Sequence, residues 1–366
     1  MRDVREQADP AEHERAAGAD PVDDDAPFEI AFLRPQDAAE LSWAIWRSYG
    51  PSYDADWVYR PDEIAARLRS GVLRSIVARA SGEPERPLVG HLGLTLHTPD
   101  AHAGEAGQAV VDPRWRGHHL FTTLKRMLAD TLRAEGLAGM FSEATAAHPY
   151  SQKANVALGA RETGILVGYI PGSVAYEAID GASEHRRSVV VYYLKLNDGP
   201  PRPLYPPARH RAIVSEIAER AGLRGRVADA PDDRAVEPTR LSEQVRTDHD
   251  AGFVTVDVVG PDLAEVVHAH LERERTRGLA CSYVDLPLDD PGTAIHGDAL
   301  RDTGRGSGLR FGGVFPNVRR AGDVLRLQYL HDARVRADDV RLASEAGERL
   351  LTYVLGDVET PGGGLG

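Results

Sequence analysis

The sequence predicts a mixed α/β protein whose strands and helices alternate through two consecutive lobes. Three observations carry that expectation. Between Phe28 and Leu196, short apolar runs of strand character alternate with segments of helical period. A Pro-rich stretch, NDGPPRPLYPPARH (197–210), then interrupts the order. Beyond it part of the order returns as strand, helix, strand, helix, strand, strand.

Bulk composition narrows the classes of function. The 366 residues allow two domains of ordinary size, and 42 % apolar side chains suffice for packed cores. A formal net charge of −13 argues against a nucleic-acid partner held by overall charge. The single cysteine, Cys281, excludes an intrachain disulfide and a multi-cysteine metal site. The acidic, polar start has no apolar signal-peptide core, and no run reaches membrane-spanning length. A cytoplasmic protein with no membrane partner is the expectation.

Taken in order, residues 1–26 are rich in Asp, Glu, Ala and Pro and read as a disordered acidic leader. FEIAFL (28–33) is strand-like. Helical patterns follow at about 37–48 and 62–70, the second opening on Pro61-Asp62-Glu63. LRSIVARA (73–80), PLVGHLGLTLHT (87–98) and EAGQAVVD (105–112) read as strands. A long helix runs from about 118 to 135, with Leu120, Leu124, Met127, Leu128 and Leu132 on one face and Gly136 ending it. LAGMFSEAT (137–145) is a strand and PYSQKANVAL (149–158) a short helix; strands at 160–170 and 187–196 complete the first lobe. After a helix at 209–221 and a charged, turn-like stretch to 250, the second lobe reads as strand 252–260, helix 261–277, strand 279–288, short helix 292–303, strands 308–316 and 323–330, and helix 337–355. The expected domains are therefore 27–197, a connection at 198–250, a second lobe at 251–357 and a flexible tail at 358–366.

Chemistry concentrates in AVVDPRWRGHHLFTTL (109–124). A strand ends there in an arginine, a glycine and two histidines just where a helix begins. The first amides of a helix lack intrahelical partners and carry about half a positive charge. Gly117 lets the backbone turn inward and Arg116 adds a full charge, so an anion such as a pyrophosphate suits the position. His118 and His119 are adjacent, and no carboxylate or cysteine follows at ligand spacing, so no metal site is expected.

VVDPRWRGHHLF resembles the acyl-CoA signature of the GNAT superfamily of N-acyltransferases. Val111, Pro113, Arg116 and Gly117 fall on the family pattern. His119 and Phe121 stand where it carries a glycine and a small residue. LGARETG (158–164) is similar to the start of a later family strand, with Ala160 replacing an aromatic. The resemblance covers residues 28–197 and implies a GNAT fold there, with acetyl-CoA as co-substrate and no metal. It implies that the amides of Gly117, His118, His119, Leu120 and Phe121, with Arg116, hold the pyrophosphate. An amide of Val110–Val111 meets the thioester carbonyl. The tyrosine that serves the family as acid is absent, because its position holds Asn155. Nearby substitutes are Glu143, His148 and Tyr150, none singled out by the sequence. Ser151 and Gln152 suit either contact with the pantetheine arm or helix capping.

The second lobe reads VVGPDLAEVV (258–267) at its strand-to-helix junction, without Arg-Gly and with Asp262 where a phosphate would sit. It is expected to be a degenerate GNAT-like lobe. The implied activity is acetyl transfer to a small-molecule amine by direct attack. The alternatives are a non-catalytic acyl-CoA-binding module, an aminoacyl-tRNA-dependent transferase and a GNAT-like decarboxylase. A set formed by Tyr49, Tyr53, Tyr59, Asp54 and Asp56 could hold an amine or be an ordinary polar loop.

Overall fold

The computed structural model describes residues 3–9, 15–16, 18–23, 26–51, 53, 55–82, 85–172, 185–231, 236–247, 249–302, 308–319, 322–331 and 340–356. The tail expected at 358–366, Asp54 and the start of the helix expected at 337 lie outside the described residues. The chain is a mixed α/β protein with fourteen strands and eight α-helices among the described residues. It divides into two compact units, the described residues through Met140 and those from Phe141 onward.

The first unit carries β1 (Phe28–Phe32), α1 (Ala38–Tyr49), α2 (Pro61–Ser70), β2 (Leu73–Ala80), β3 (Leu88–Leu96), β4 (Ala103–Val111) and α3 (Leu120–Ala134). The four strands form an antiparallel sheet in chain order. Leu41, Ala44, Ile45 and Ser48 recur at helical spacing and bury one side of α1. α2 starts on Pro61, has Asp62 and Glu63 in its first turn, and stops at Gly71 in the left-handed region. Both helices share a core with Val58, Tyr59, Leu73, Val77, Leu88 and Val110. Val4, inside the segment read as a leader, is 2 % exposed and belongs to that core. On α3 the buried stripe is Leu120, Leu124, Leu128 and Leu132. Met127, expected on that stripe, is 42 % exposed, and Lys125 is buried instead. Four-residue steps drift around a helix of 3.6 residues per turn, and the side chain at 125 turns inward where 127 does not.

β5 (Gly139–Thr145) crosses the border between the units. The second unit continues with α4 (Tyr150–Ala157), β6 (Arg161–Ile170), β7 (Arg187–Lys195), β8 (Arg202–Leu204), α5 (Arg211–Arg220), β9 (Gly225–Val227), β10 (Arg240–Arg246) and β11 (Ala251–Val258). It ends with α6 (Leu263–Thr276), β12 (Cys281–Pro287), α7 (Pro291–His296), β13 (Arg310–Phe315), β14 (Val324–Leu330) and α8 (Glu345–Gly356). Its main sheet runs β5-β7-β6-β13-β14-β12-β11-β10, while β8 and β9 form a separate parallel pair. β6 therefore pairs with β13 within one unit. Gln328, 1 % exposed, fastens that seam: its amide donates to the carbonyls of Ile165 (3.0 Å) and Phe311 (2.9 Å) and accepts from the Val167 N–H (2.8 Å). A buried amide satisfied on both sides fixes strand register at little cost.

Three strands lie where the sequence reads as connection. β8 and β9 are three residues each. β10 is an edge strand whose side chains are mostly exposed and polar, so it shows none of the apolar alternation that marks a strand.

Candidate functional site

The junction between β4 and α3 lies in the first unit. Asp112 accepts from the Arg114 N–H (3.0 Å) and opens a single 3₁₀ turn, Pro113–Trp115. Arg114 folds back onto the Asp112 carboxylate, and Trp115 is buried. The next residues turn outward: Arg116, Gly117 and His119 are exposed and His118 is half-buried against the Trp115 ring. Gly117 has φ +93° and His119 φ +55°. Positive φ at closely spaced residues bends successive N–H groups toward one side, the geometry of an anion-binding concavity. No atom lies within 4 Å of where a Gly117 Cβ would stand. No side chain caps α3, whose N-cap is His119 itself. Leu120 is buried and anchors the helix, while Phe121 is half-buried with Lys125 over its ring at 5.8 Å. Burial of Lys125 lowers its pKa to about 8.

The strand before this junction is irregular. In the β3–β4 ladder His91 opposes Val110 and Gly93 opposes Gly107, so β4 carries an extra residue at Gln108–Ala109. Gln108 has φ +52°. Its carbonyl is 2.6 Å from His91 Nδ1, and the Ala109 carbonyl accepts from the Tyr49 hydroxyl at 2.7 Å. The bulge immediately precedes Val110 and Val111.

The loop set around Tyr49 is largely used for structure. The Tyr59 hydroxyl donates to the Gly50 carbonyl and accepts from the Tyr53 N–H. Asp56 pairs with Arg5 at 2.6 Å.

The other candidate residues lie in the second unit. Glu143 on β5 is half-buried; burial works to lower the pKa of Arg326, but Asp285 outweighs it and raises the pKa, with smaller contributions from Tyr169 and then Glu143. The Arg326 guanidinium is bidentate with Asp285 (2.7 and 2.8 Å) and stacks on Phe315 at 4.1 Å. Phe141, two residues before Glu143, meets the Phe315 ring edge-on at 5.6 Å. His148 stands just ahead of α4 with its ring 5.1 Å from that of Tyr150, which is 72 % exposed. The Ser151 hydroxyl is buried without a hydrogen-bond partner among the described residues. Gln152 is committed elsewhere: it donates to the carbonyls of Thr145, His148 and Arg341 and accepts from the Ala343 N–H. Asn155 is buried and donates to the Ser151 carbonyl at 2.9 Å. Sequence reasoning missed His91 and Lys125. Their signal was a polar residue inside an apolar strand or stripe.

At the strand-to-helix junction between β11 and α6, the chain fills its own turn. The Asp262 carboxylate accepts from the Thr239 N–H at 2.8 Å, which holds its pKa below the ordinary value. The Gly260 N–H donates to the Thr239 hydroxyl (3.0 Å) and the Val259 N–H to Asp290 (2.9 Å). Cys281 on β12 is buried, and burial raises its pKa.

A family model described as the acetyltransferase (GNAT) family matches residues 38–155, from α1 into α4. That match spans less than half of the chain. No curated protein matches the sequence. Among solved structures, the chain is similar to the ribosomal-protein-S18-alanine N-acetyltransferase from Escherichia coli, with 17 % identity over 48 % of this chain and 97 % of that one and a TM-score of 0.36. It is similar to a phosphinothricin acetyltransferase from Sinorhizobium meliloti in complex with acetyl-CoA, at 16 % identity, 47 % and 90 % coverage and a TM-score of 0.37. A spermidine/spermine N-acetyltransferase from Vibrio cholerae is 14 % identical, with 46 % and 94 % coverage and a TM-score of 0.36. Among the described residues no helix is long and apolar enough to cross a membrane, and no group of three or more His, Cys, Asp or Glu could hold a metal ion.

Proposed function

We propose that this chain is a cytoplasmic acetyl-CoA-dependent N-acetyltransferase acting on a small-molecule amine. The observation that carries the reading is the β4–α3 junction, with its uncapped helix start, its two positive-φ residues and the open space beside Gly117. A pyrophosphate placed there meets the amides of Gly117 to Phe121 and the charge of Arg116. The GNAT family match over the same residues supports it.

In this reading the amine loses a proton and attacks the thioester carbon. The N–C bond forms, the C–S bond breaks, and the departing thiolate takes up a proton. An amide of Val110 or Val111 receives the carbonyl oxygen as it gains charge. Glu143, His148 and Tyr150 are proposed for the proton transfers on their chemistry, and the buried Ser151 hydroxyl for the pantetheine arm. Residues 27–197 form the GNAT domain of this proposal, and 251–357 form a degenerate lobe that does not bind acetyl-CoA.

Two measurements test it. Calorimetry of the full chain with acetyl-CoA should give one binding event, and CoA thiol release across a panel of primary amines should identify an acceptor. With that acceptor, His148→Ala or Glu143→Gln should lower kcat by about 10²- to 10⁴-fold with acetyl-CoA affinity little changed. Full activity in both variants moves the role to Tyr150. Binding without thiol release for any amine leaves the acyl-CoA-binding module as the function.

A further inference from the structure

His91 is fully buried in β3, and the catalytic proposal above makes no use of it. Its surroundings define its state. Nδ1 lies 2.6 Å from the Gln108 carbonyl, which can only accept, so Nδ1 carries the proton. Burial lowers the ring's pKa to about 4, so near neutral pH the ring is uncharged. Nε2 is then an acceptor, and the Ser75 hydroxyl, 2.6 Å away and 2 % exposed, donates to it. Ser75 thereby selects the tautomer that Gln108 needs. A histidine filling apolar space would need none of this.

What the pair holds is the β4 bulge. Gln108 adopts φ +52°, a conformation L side chains seldom take, and does so where two residues of β4 oppose one of β3. The two carbonyls of the bulge are each tied by a side chain, Gln108 by His91 and Ala109 by Tyr49. A planar peptide whose C=O is fixed has its N–H fixed as well. The bulge also sets the register of the next two residues. We infer that His91, locked in one tautomer by Ser75, is a positioning residue that sets the β4 bulge from which Val110 and Val111 meet the thioester carbonyl. This rests on the acetyl-CoA reading and adds to it a residue outside the loop and the proton-transfer set.

The test compares two ligands and two polar variants. Acetyl-CoA has the carbonyl; S-ethyl-CoA, a thioether, lacks it and keeps the rest. The native chain should bind acetyl-CoA about tenfold more tightly, the size of one well-aligned hydrogen bond. His91→Asn keeps an amide N–H near the Nδ1 position and should retain that ratio. His91→Gln offers its amide toward Ser75 and leaves the Gln108 carbonyl without a donor. It should bring the ratio below about threefold with S-ethyl-CoA affinity unchanged. If neither variant folds, Ser75→Ala, which leaves the histidine in place, should lower the ratio about threefold. Equal weakening toward both ligands in His91→Gln would make His91 a core residue only and overturn the inference. So would a native ratio of one, or an unchanged ratio in Ser75→Ala. A native chain that binds neither ligand is a different result, which fells the acetyl-CoA reading and this inference with it.

Discussion

After β4, Gly117 turns at φ +93° with no atom near its would-be Cβ, whereas after β11 a Cβ on Gly260 would stand 2.4 Å from the Glu237 carbonyl and 2.5 Å from the Thr239 nitrogen. Both places are a strand feeding a helix, and both have glycine. At the first, Arg116 and His119 are exposed and no side chain caps the helix start. At the second, the amides of Val259 and Gly260 donate to Asp290 and Thr239, and Asp262 accepts from Thr239. One junction is open beside its glycine and uncapped at its helix start. The other has its own backbone and a carboxylate in that position. A glycine in a sequence motif is thus ambiguous until its neighbours are known: it can open a site or permit close packing.

The comparison can be broken from either side. The largest expected effect is on acid stability, because a buried histidine supports the strand before the first junction and a carboxylate fills the second. His91 is neutral in the fold, with its pKa lowered to about 4 by burial. Above pH 6.5 its protonation state is the same folded and unfolded, so it adds no pH dependence. As pH falls from 6.5 toward 4, the unfolded chain takes a proton that the folded chain refuses, a loss of about 3 kcal/mol by pH 4. Asp262, whose pKa is lowered, keeps its contribution over that whole range and loses it only at lower pH. Urea unfolding at pH 7 and 4.5 should show the first unit weakening, and His91→Asn should remove the part due to that ring; His210, whose pKa burial lowers to about 3, weakens the second unit over the same range and leaves the His91→Asn difference unaffected. A first unit equally stable at both pH values would mean that His91 is not buried neutral.

Next in size is Gly260→Ala. The methyl would meet backbone atoms that cannot rotate away, so the second unit should lose about 1–3 kcal/mol, measured by urea unfolding at neutral pH. No loss would show that the second junction is open after all, and its contrast with the first would vanish.

These two predictions separate what the sequence shows from what it hides. From Phe28 to Lys195 the elements read from apolar period agree with the structure to within about two residues, because each strand and helix there buries a face that its own side chains announce. β10 escaped because an edge strand covered by charge carries no such announcement. The Gly117 turn was legible, since only glycine accepts φ +93° without strain. The bulge was not, since Gln108, at φ +52°, is tied by a side chain 17 positions away and Ala109 by one 60 positions away in the chain. The same limit hid the role of Gln152, whose partners Arg341 and Ala343 are remote in sequence.

A smaller effect belongs to Arg116→Ala, which removes the exposed charge beside Gly117 and leaves the backbone unchanged. Acetyl-CoA should bind about tenfold more weakly, the worth of one charge-assisted contact. The difference should shrink as salt screens the native arginine. Equal affinity in the variant at low salt would place the diphosphate elsewhere.

The central claim, that the β4–α3 junction binds the pyrophosphate of acetyl-CoA, is tested most directly by thermal unfolding of the native chain and Gly117→Asp with and without the ligand. At about a hundred times its dissociation constant, acetyl-CoA should stabilise the native first unit by about 2.7 kcal/mol and raise its midpoint by about 5–10 °C. Gly117→Asp puts a carboxylate among the phosphate-binding amides and should lose most of that rise. Gly117→Asn, which tolerates positive φ and adds no charge, should keep more of it. A full rise in Gly117→Asp would contradict the claim and move the ligand out of this loop.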